Sequence, residues 1–122
     1  MKAEGGYRAL LVWQQAMDLV EAVYKVTEAF PRSEEFSLKA QLRRTAVSIP
    51  SNIAEGSGRG TKRDYQNFLR IARGSIRELD TQLEIAIRIG YLGSDEGLSM
   101  QGNVASVEKL LQRLIAALAP LE

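Results

Sequence analysis

A row of arginines carries the clearest chemical signal in this sequence. Arg63, Arg70 and Arg77 stand seven residues apart, and Arg73 lies beside them. On a helix this row points roughly 165° away from the face that holds Phe68 and Leu79. A guanidinium matches phosphate oxygens with a planar fork of donors, so an exposed row suits a phosphate backbone. It also suits a plain solvated face, because arginine is a good helix former. Arg43, Arg44, Arg59 and Lys62 extend the candidate set upstream. The net charge of +1 hides this concentration. From Lys39 to Arg77 nine basic residues face two acids, Glu55 and Asp64, giving +7. The rest of the chain holds seven basic and thirteen acidic residues, giving −6. Only Tyr65 and Phe68 are interleaved with the arginines, too few for a base-stacking platform.

Other constellations are weaker. The run Gly56-Ser57-Gly58-Arg59-Gly60-Thr61-Lys62-Arg63 looks like a phosphate cradle. It lacks the P-loop spacing and follows a helix, where a P-loop follows a strand. It reads as a glycine cap and connector, with simple anion binding as the functional alternative. Asp80 and Glu84 are four apart, with Arg73, Arg77 and Arg88 in helical reach, and read as surface charges. Glu55 sits in a stretch of small residues and is expected to pair with a base from another helix or subunit. The chain has no cysteine and no histidine. That excludes disulfides, thiolate nucleophiles, His-based triads and Cys/His zinc sites. No enzyme, cofactor or metal is expected. There is no signal peptide pattern and no apolar run long enough to span a membrane, so the expected location is the cytoplasm.

The elements that position these residues read as helices. Alanine and leucine supply 14 and 15 residues against seven valines, and no segment alternates with period two. Glycine and proline punctuation divides the chain into helices over about 7–30, 33–57, 61–90 and 94–118. In the first, Trp13, Ala16, Met17, Val20, Tyr24 and Thr27 share one face. In the second, Leu38, Leu42, Ala46, Ile49 and Ile53 make a seam, and Ser33 is the expected cap. Pro50 lies inside this seam and predicts a kink, or alternatively a break. Thr61 and Asp64 have capping-box spacing for the third helix. Gly97 and Gly102 weaken the first turns of the fourth. The expected architecture is all-α, one domain, an antiparallel up-down-up-down four-helix bundle.

The first three helices carry more surface suited to contact than one seam needs. Val12, Leu19 and Val26 form a second row on the first helix, and Ile71, Ile85 and Ile89 a flank on the third. Ala40, Val47, Ser51 and Ala54 give the second helix a face of small residues. These ten positions are the candidate interface of a homo-oligomer.

The sequence also resembles a known family. The run Val12-Trp13-Gln14-Gln15-Ala16-Met17, the segment Gln41-Leu42-Arg43-Arg44-Thr45-Ala46-Val47-Ser48-Ile49-Pro50-Ser51-Asn52-Ile53-Ala54-Glu55-Gly56 and the run Phe68-Leu69-Arg70-Ile71-Ala72-Arg73-Gly74-Ser75 carry the likeness. They are similar to the four-helix bundle proteins encoded within intervening sequences of bacterial 23S ribosomal RNA genes. Asp80 stands where that family often has Glu, and Ser37 where it often has Gly. The resemblance implies a homopentamer and kinship with the accessory variability determinant of diversity-generating retroelements. That relative binds a reverse transcriptase and nucleic acid. No enzymatic activity comes with the family. The expected function is a non-enzymatic oligomeric scaffold that binds nucleic acid, structured RNA above all, through its Arg/Lys surface. The rival is a protein-interaction adaptor that docks a polymerase-like partner.

Overall fold

The computed structural model describes residues 6–118, which form four helices and no strand. They are α1 (Leu11–Thr27), α2 (Leu38–Ser57), α3 (Lys62–Arg88) and α4 (Ser94–Leu118). α1 packs on α2, α2 on α3, α3 on α4, and α4 returns to α1. The contact between α2 and α3 is the most extensive.

The core-facing row of α1 differs from the expected one. Val12, Ala16, Leu19, Val23 and Thr27 are buried, while Trp13, Met17 and Val20 are half-buried on a flank. This corrects two interface candidates. Val12 and Leu19, at 5% and 2% exposure, belong to the core of their own chain and cannot meet a second copy. Val26 is half-buried against that core. The surplus apolar width of α1 is thus largely covered by its neighbours. Of the other candidates, Val47, Ile71, Ile85 and Ile89 are exposed apolar side chains, Ser51 is exposed, and Ala40 and Ala54 are half-buried.

Two helix starts lie later than the spacing predicts. α1 begins at Leu11, after a 3-10 turn over Gly6–Ala9 whose Tyr7 ring meets Trp13 edge-on at 5.4 Å. α2 begins at Leu38, and Ser33 instead lies in a second 3-10 turn, Arg32–Glu34. Its cap is Glu34, whose Oε1 accepts the Leu38 amide at 3.0 Å, while Ser37 makes no side-chain cap bond. The Tyr91 hydroxyl donates to the other oxygen of Glu34 at 3.1 Å, joining the α1–α2 and α3–α4 connections. The Leu38 amide leads the causes that hold this carboxyl below its ordinary value, against partial desolvation and with help from Tyr91 and Ser37.

Helix α2 is continuous through Pro50, so the chain does not break there. Nearby side chains bond the backbone carbonyls of Thr45 and Ser48. Ser48 Oγ reaches the Thr45 carbonyl at 2.6 Å, and Asn52 Nδ2 donates to the Ser48 carbonyl at 2.7 Å. Thr61 caps α3 as its spacing predicts, its Oγ1 accepting the Asp64 amide at 3.1 Å. The helix closes with a Schellman turn. Gly90 takes φ 85°, its amide donates to Ile87 at 3.1 Å, and Tyr91 donates to Ala86 at 2.9 Å. Gly97 near the start of α4 is buried, and an added Cβ would overlap the Ile87 side chain.

Two expected outcomes test this description. A Cβ on Gly56 would lie 2.7 Å from Phe68 Cβ and 3.1 Å from the Tyr65 ring. Gly56→Ala should therefore destabilise the fold by about 1–3 kcal/mol in urea unfolding. Glu34 has a lowered folded-state pKa, so its contribution is present above the ordinary carboxylate range and lost as pH falls through the folded value. Glu34→Gln should flatten the acid limb of a stability-against-pH profile below about pH 4.5.

Candidate functional site

The face of α3 opposite the core carries the arginine row. Burial of Leu69, Ala72, Ile76, Leu79, Leu83 and Ala86, each fully excluded from solvent, fixes the rotation of the helix. Arg63, Arg70 and Arg77 are exposed on its far side, and Arg73 is half-buried. Arg44 is exposed on α2, and Lys62 at the first turn of α3. Among the described residues, Arg44, Lys62, Arg70 and Arg73 make no ion pair.

Arg77 and Arg59 are partly occupied. Arg77 donates through Nε to Glu108 Oε2 of α4 at 3.0 Å, and its Nη2 lies 2.9 Å from the same oxygen. Arg59 pairs with Glu55 at 3.4 Å and lies over the Phe68 ring at 5.0 Å. Within the protomer Glu55 thus takes a partner four residues along its own segment. The pair is about half exposed on both sides and contributes little to stability.

Arg43 is a correction. Its Nε donates to Thr27 Oγ1 at 2.9 Å, and Nη2 donates to the Tyr24 carbonyl at 3.1 Å. Nη2 also meets Glu28 at 3.5 Å, and the guanidinium lies over the Tyr24 ring at 4.4 Å. Thr27 has in turn given its own proton to the Val23 carbonyl at 2.7 Å. These bonds satisfy groups at the C-terminus of α1 and engage Nε and Nη2 of Arg43 inside the protomer. Arg43 and Arg44 are neighbours in sequence, yet the 100° helical step sends one to α1 and the other to solvent.

At the α2–α3 connection, Gly56, Ser57, Gly60, Thr61, Lys62 and Tyr65 line a shallow cavity of about 210 Å³. Gly60 takes φ 92°, a backbone that disfavours any side chain. Burial raises the Tyr65 hydroxyl above its ordinary pKa. Further along α3 the surface turns acidic. Desolvation, then Glu108 and Glu84, raise the Asp80 carboxyl, whereas bonds from Arg88 and Gln101 lower that of Glu84. Among the described residues no group of three His, Cys, Asp or Glu side chains is placed to hold a metal ion. No described helix is long and apolar enough to cross a membrane.

The exposed basic residues do not all come from the +7 stretch. Lys109 and Arg113 are exposed on α4, the helix that packs against α3, and were outside the candidate set. Their signal in the sequence is a basic pair four apart at the end of a helix that opens with Asp95 and Glu96.

The fold and this surface define a small all-helical protein with a row of exposed arginines along α3. The family model of the 23S rRNA-intervening sequence protein matches residues 8–113, and the chain belongs to that family. It is similar to a crystal structure of a protein of unknown function from the S23 ribosomal protein family of Bacteroides thetaiotaomicron. The two chains are 26% identical with a TM-score of 0.78, covering 86% of this chain and 98% of that one. No curated protein matches the chain.

Paired variants separate the structural arginine from its neighbour. Arg43→Gln should cost about 1–3 kcal/mol in urea unfolding, since it strips donors from part-buried acceptors. Arg44→Gln should stay within about 0.5 kcal/mol of the parent.

Proposed function

We propose that this protein is a non-enzymatic homo-oligomeric scaffold that binds structured RNA through backbone contacts. The observation that carries this reading is the exposed, heptad-spaced row on α3, turned away from the core. Arg63 to Arg77 covers about 21 Å of helix axis, long enough to follow several phosphates. Lys62 and Arg59 continue the row to the glycine connection. An up-down-up-down bundle presents this row along one side. The family resemblance supports a pentamer and kinship with the accessory determinant of diversity-generating retroelements. Repetition around a ring multiplies a modest contact into avidity. The lack of Cys and His supports a binding role over a catalytic one.

A second reading, a protein-docking adaptor, draws on exposed apolar surface. Ile71, Ile85 and Ile89 are 53%, 42% and 52% exposed. A groove of about 340 Å³ also opens between α1 and α2, lined by Met17, Val20, Val47 and Ala54 among others. Self-association and adaptor docking both use such surface.

Fluorescence anisotropy with a folded RNA tests the leading reading. Binding should weaken steeply between low and moderate salt and show little sequence preference. Arg63→Glu with Arg70→Glu should abolish it while circular dichroism stays unchanged. Absence of binding at low salt, or indifference to the charge reversals, rejects the proposal. Light scattering addresses assembly: Ile85→Asp should lower the mass of the particle, and an unchanged mass moves the interface elsewhere.

A further inference from the structure

The contacts between α3 and α4 fix which side chains stand beside the arginine row. Gln66 Nε2 donates to the Ile115 carbonyl at 3.4 Å, Arg77 bonds Glu108, and Gln101 Nε2 donates to Glu84 Oε1 at 3.1 Å. Higher numbers on α3 thus meet lower numbers on α4. Between the first two contacts, Arg70 falls level with Arg113, and Arg73 falls near Lys109. On α4 the buried residues Val107, Leu111 and Ile115 face the core. Lys109 and Arg113 each point roughly 160° from that row, one helical turn apart. Both are exposed, and among the described residues neither makes an ion pair.

We infer that Lys109 and Arg113 form, with Arg70 and Arg73, a two-helix cationic face that contacts both phosphate strands of an RNA duplex. The inference rests on the nucleic-acid reading and adds to it the second helix and the duplex. Neighbouring helix axes lie about 8–10 Å apart, so two basic rows side by side offer donors to two strands at once. The wide, shallow minor groove of A-form RNA presents phosphates on both of its sides to such a face. Aromatic platforms, which single strands need, are missing from it. The exposed large aromatic residues among those described are Tyr24 and Phe36, and neither lies on α3 or α4. The surface also limits the footprint. Toward the other end of these two helices Asp80, Glu84, Asp95 and Glu96 take over, and a phosphate backbone is repelled there.

Anisotropy with a short blunt RNA duplex and with a uridine-only single strand, across a salt series, tests the inference. The parent should prefer the duplex. Lys109→Gln with Arg113→Gln should weaken duplex binding and make the log–log salt slope shallower by about two, one for each lost cation. Its thermal midpoint and particle mass should match the parent. Duplex affinity and salt slope equal to the parent's overturn the role of α4 while leaving the α3 reading intact. Equal binding of the two RNAs overturns the duplex assignment. Tighter binding of phosphatidylglycerol vesicles than of duplex overturns RNA as the ligand. Failure of the parent to bind either RNA at low salt removes the broader reading as well.

Discussion

The close packing of α3 against α2 is the constraint from which the surface of this molecule follows. Gly56 lets the two helices approach until the Phe68 Cβ occupies the space where a Gly56 side chain would stand. Ser48 and Ser75 exchange a hydrogen bond at 2.7 Å farther along the same seam. With Leu69, Ile76 and Leu83 fully buried behind that seam, α3 has no rotational freedom left. An interior packed at crystal-like density holds such an orientation firmly. Because 27 residues of helix are fixed at once, residues opposite the seam are delivered to solvent as a straight row. The basic face is therefore a consequence of core packing.

Electrostatics divides the bundle along its length. Near the glycine connection and the end of α4, cations outnumber acids. Near the two other connections, acids are used structurally. Glu34 caps α2 and holds Tyr91, and Glu84 engages both Arg88 and Gln101. The Arg77–Glu108 pair bridges α3 and α4 where the two regions meet. A net charge near zero is thus a sum over two unlike ends, and a polyanion meets a steep gradient along the surface.

The arginines also show how one residue type serves two ends. Arg43 closes the C-terminus of α1 through a chain of bonds that begins at the Val23 carbonyl and passes through Thr27. Its guanidinium gives up solvent contact to satisfy backbone and hydroxyl groups of another helix. Arg70 is exposed on the side of α3 opposite the core and makes no ion pair among the described residues. Charge counting treats these two residues alike, but their surroundings do not.

The sequence alone determined the helical class, the number of helices and the positions of the α3 and α4 boundaries. Apolar periodicity, glycine punctuation and the Thr61 cap are local signals, and local signals are legible without a fold. It also determined which face of α3 is basic, because a long, strongly amphipathic helix has only one way to bury its apolar side. The tertiary structure decided the remainder. It chose Val12, Leu19 and Val23 over Trp13, Met17 and Val20 as the core row of α1, since α2 and α4 cover that helix from two sides and both rows are apolar. It moved the start of α2 to Leu38, since Glu34 is held there by Tyr91, a residue distant in sequence. It turned Arg43 toward the C-terminus of α1 and packed α4, with its exposed Lys109 and Arg113, against α3. These outcomes depend on which helices become neighbours and at what level, and that is information carried by packing between segments rather than by any one of them.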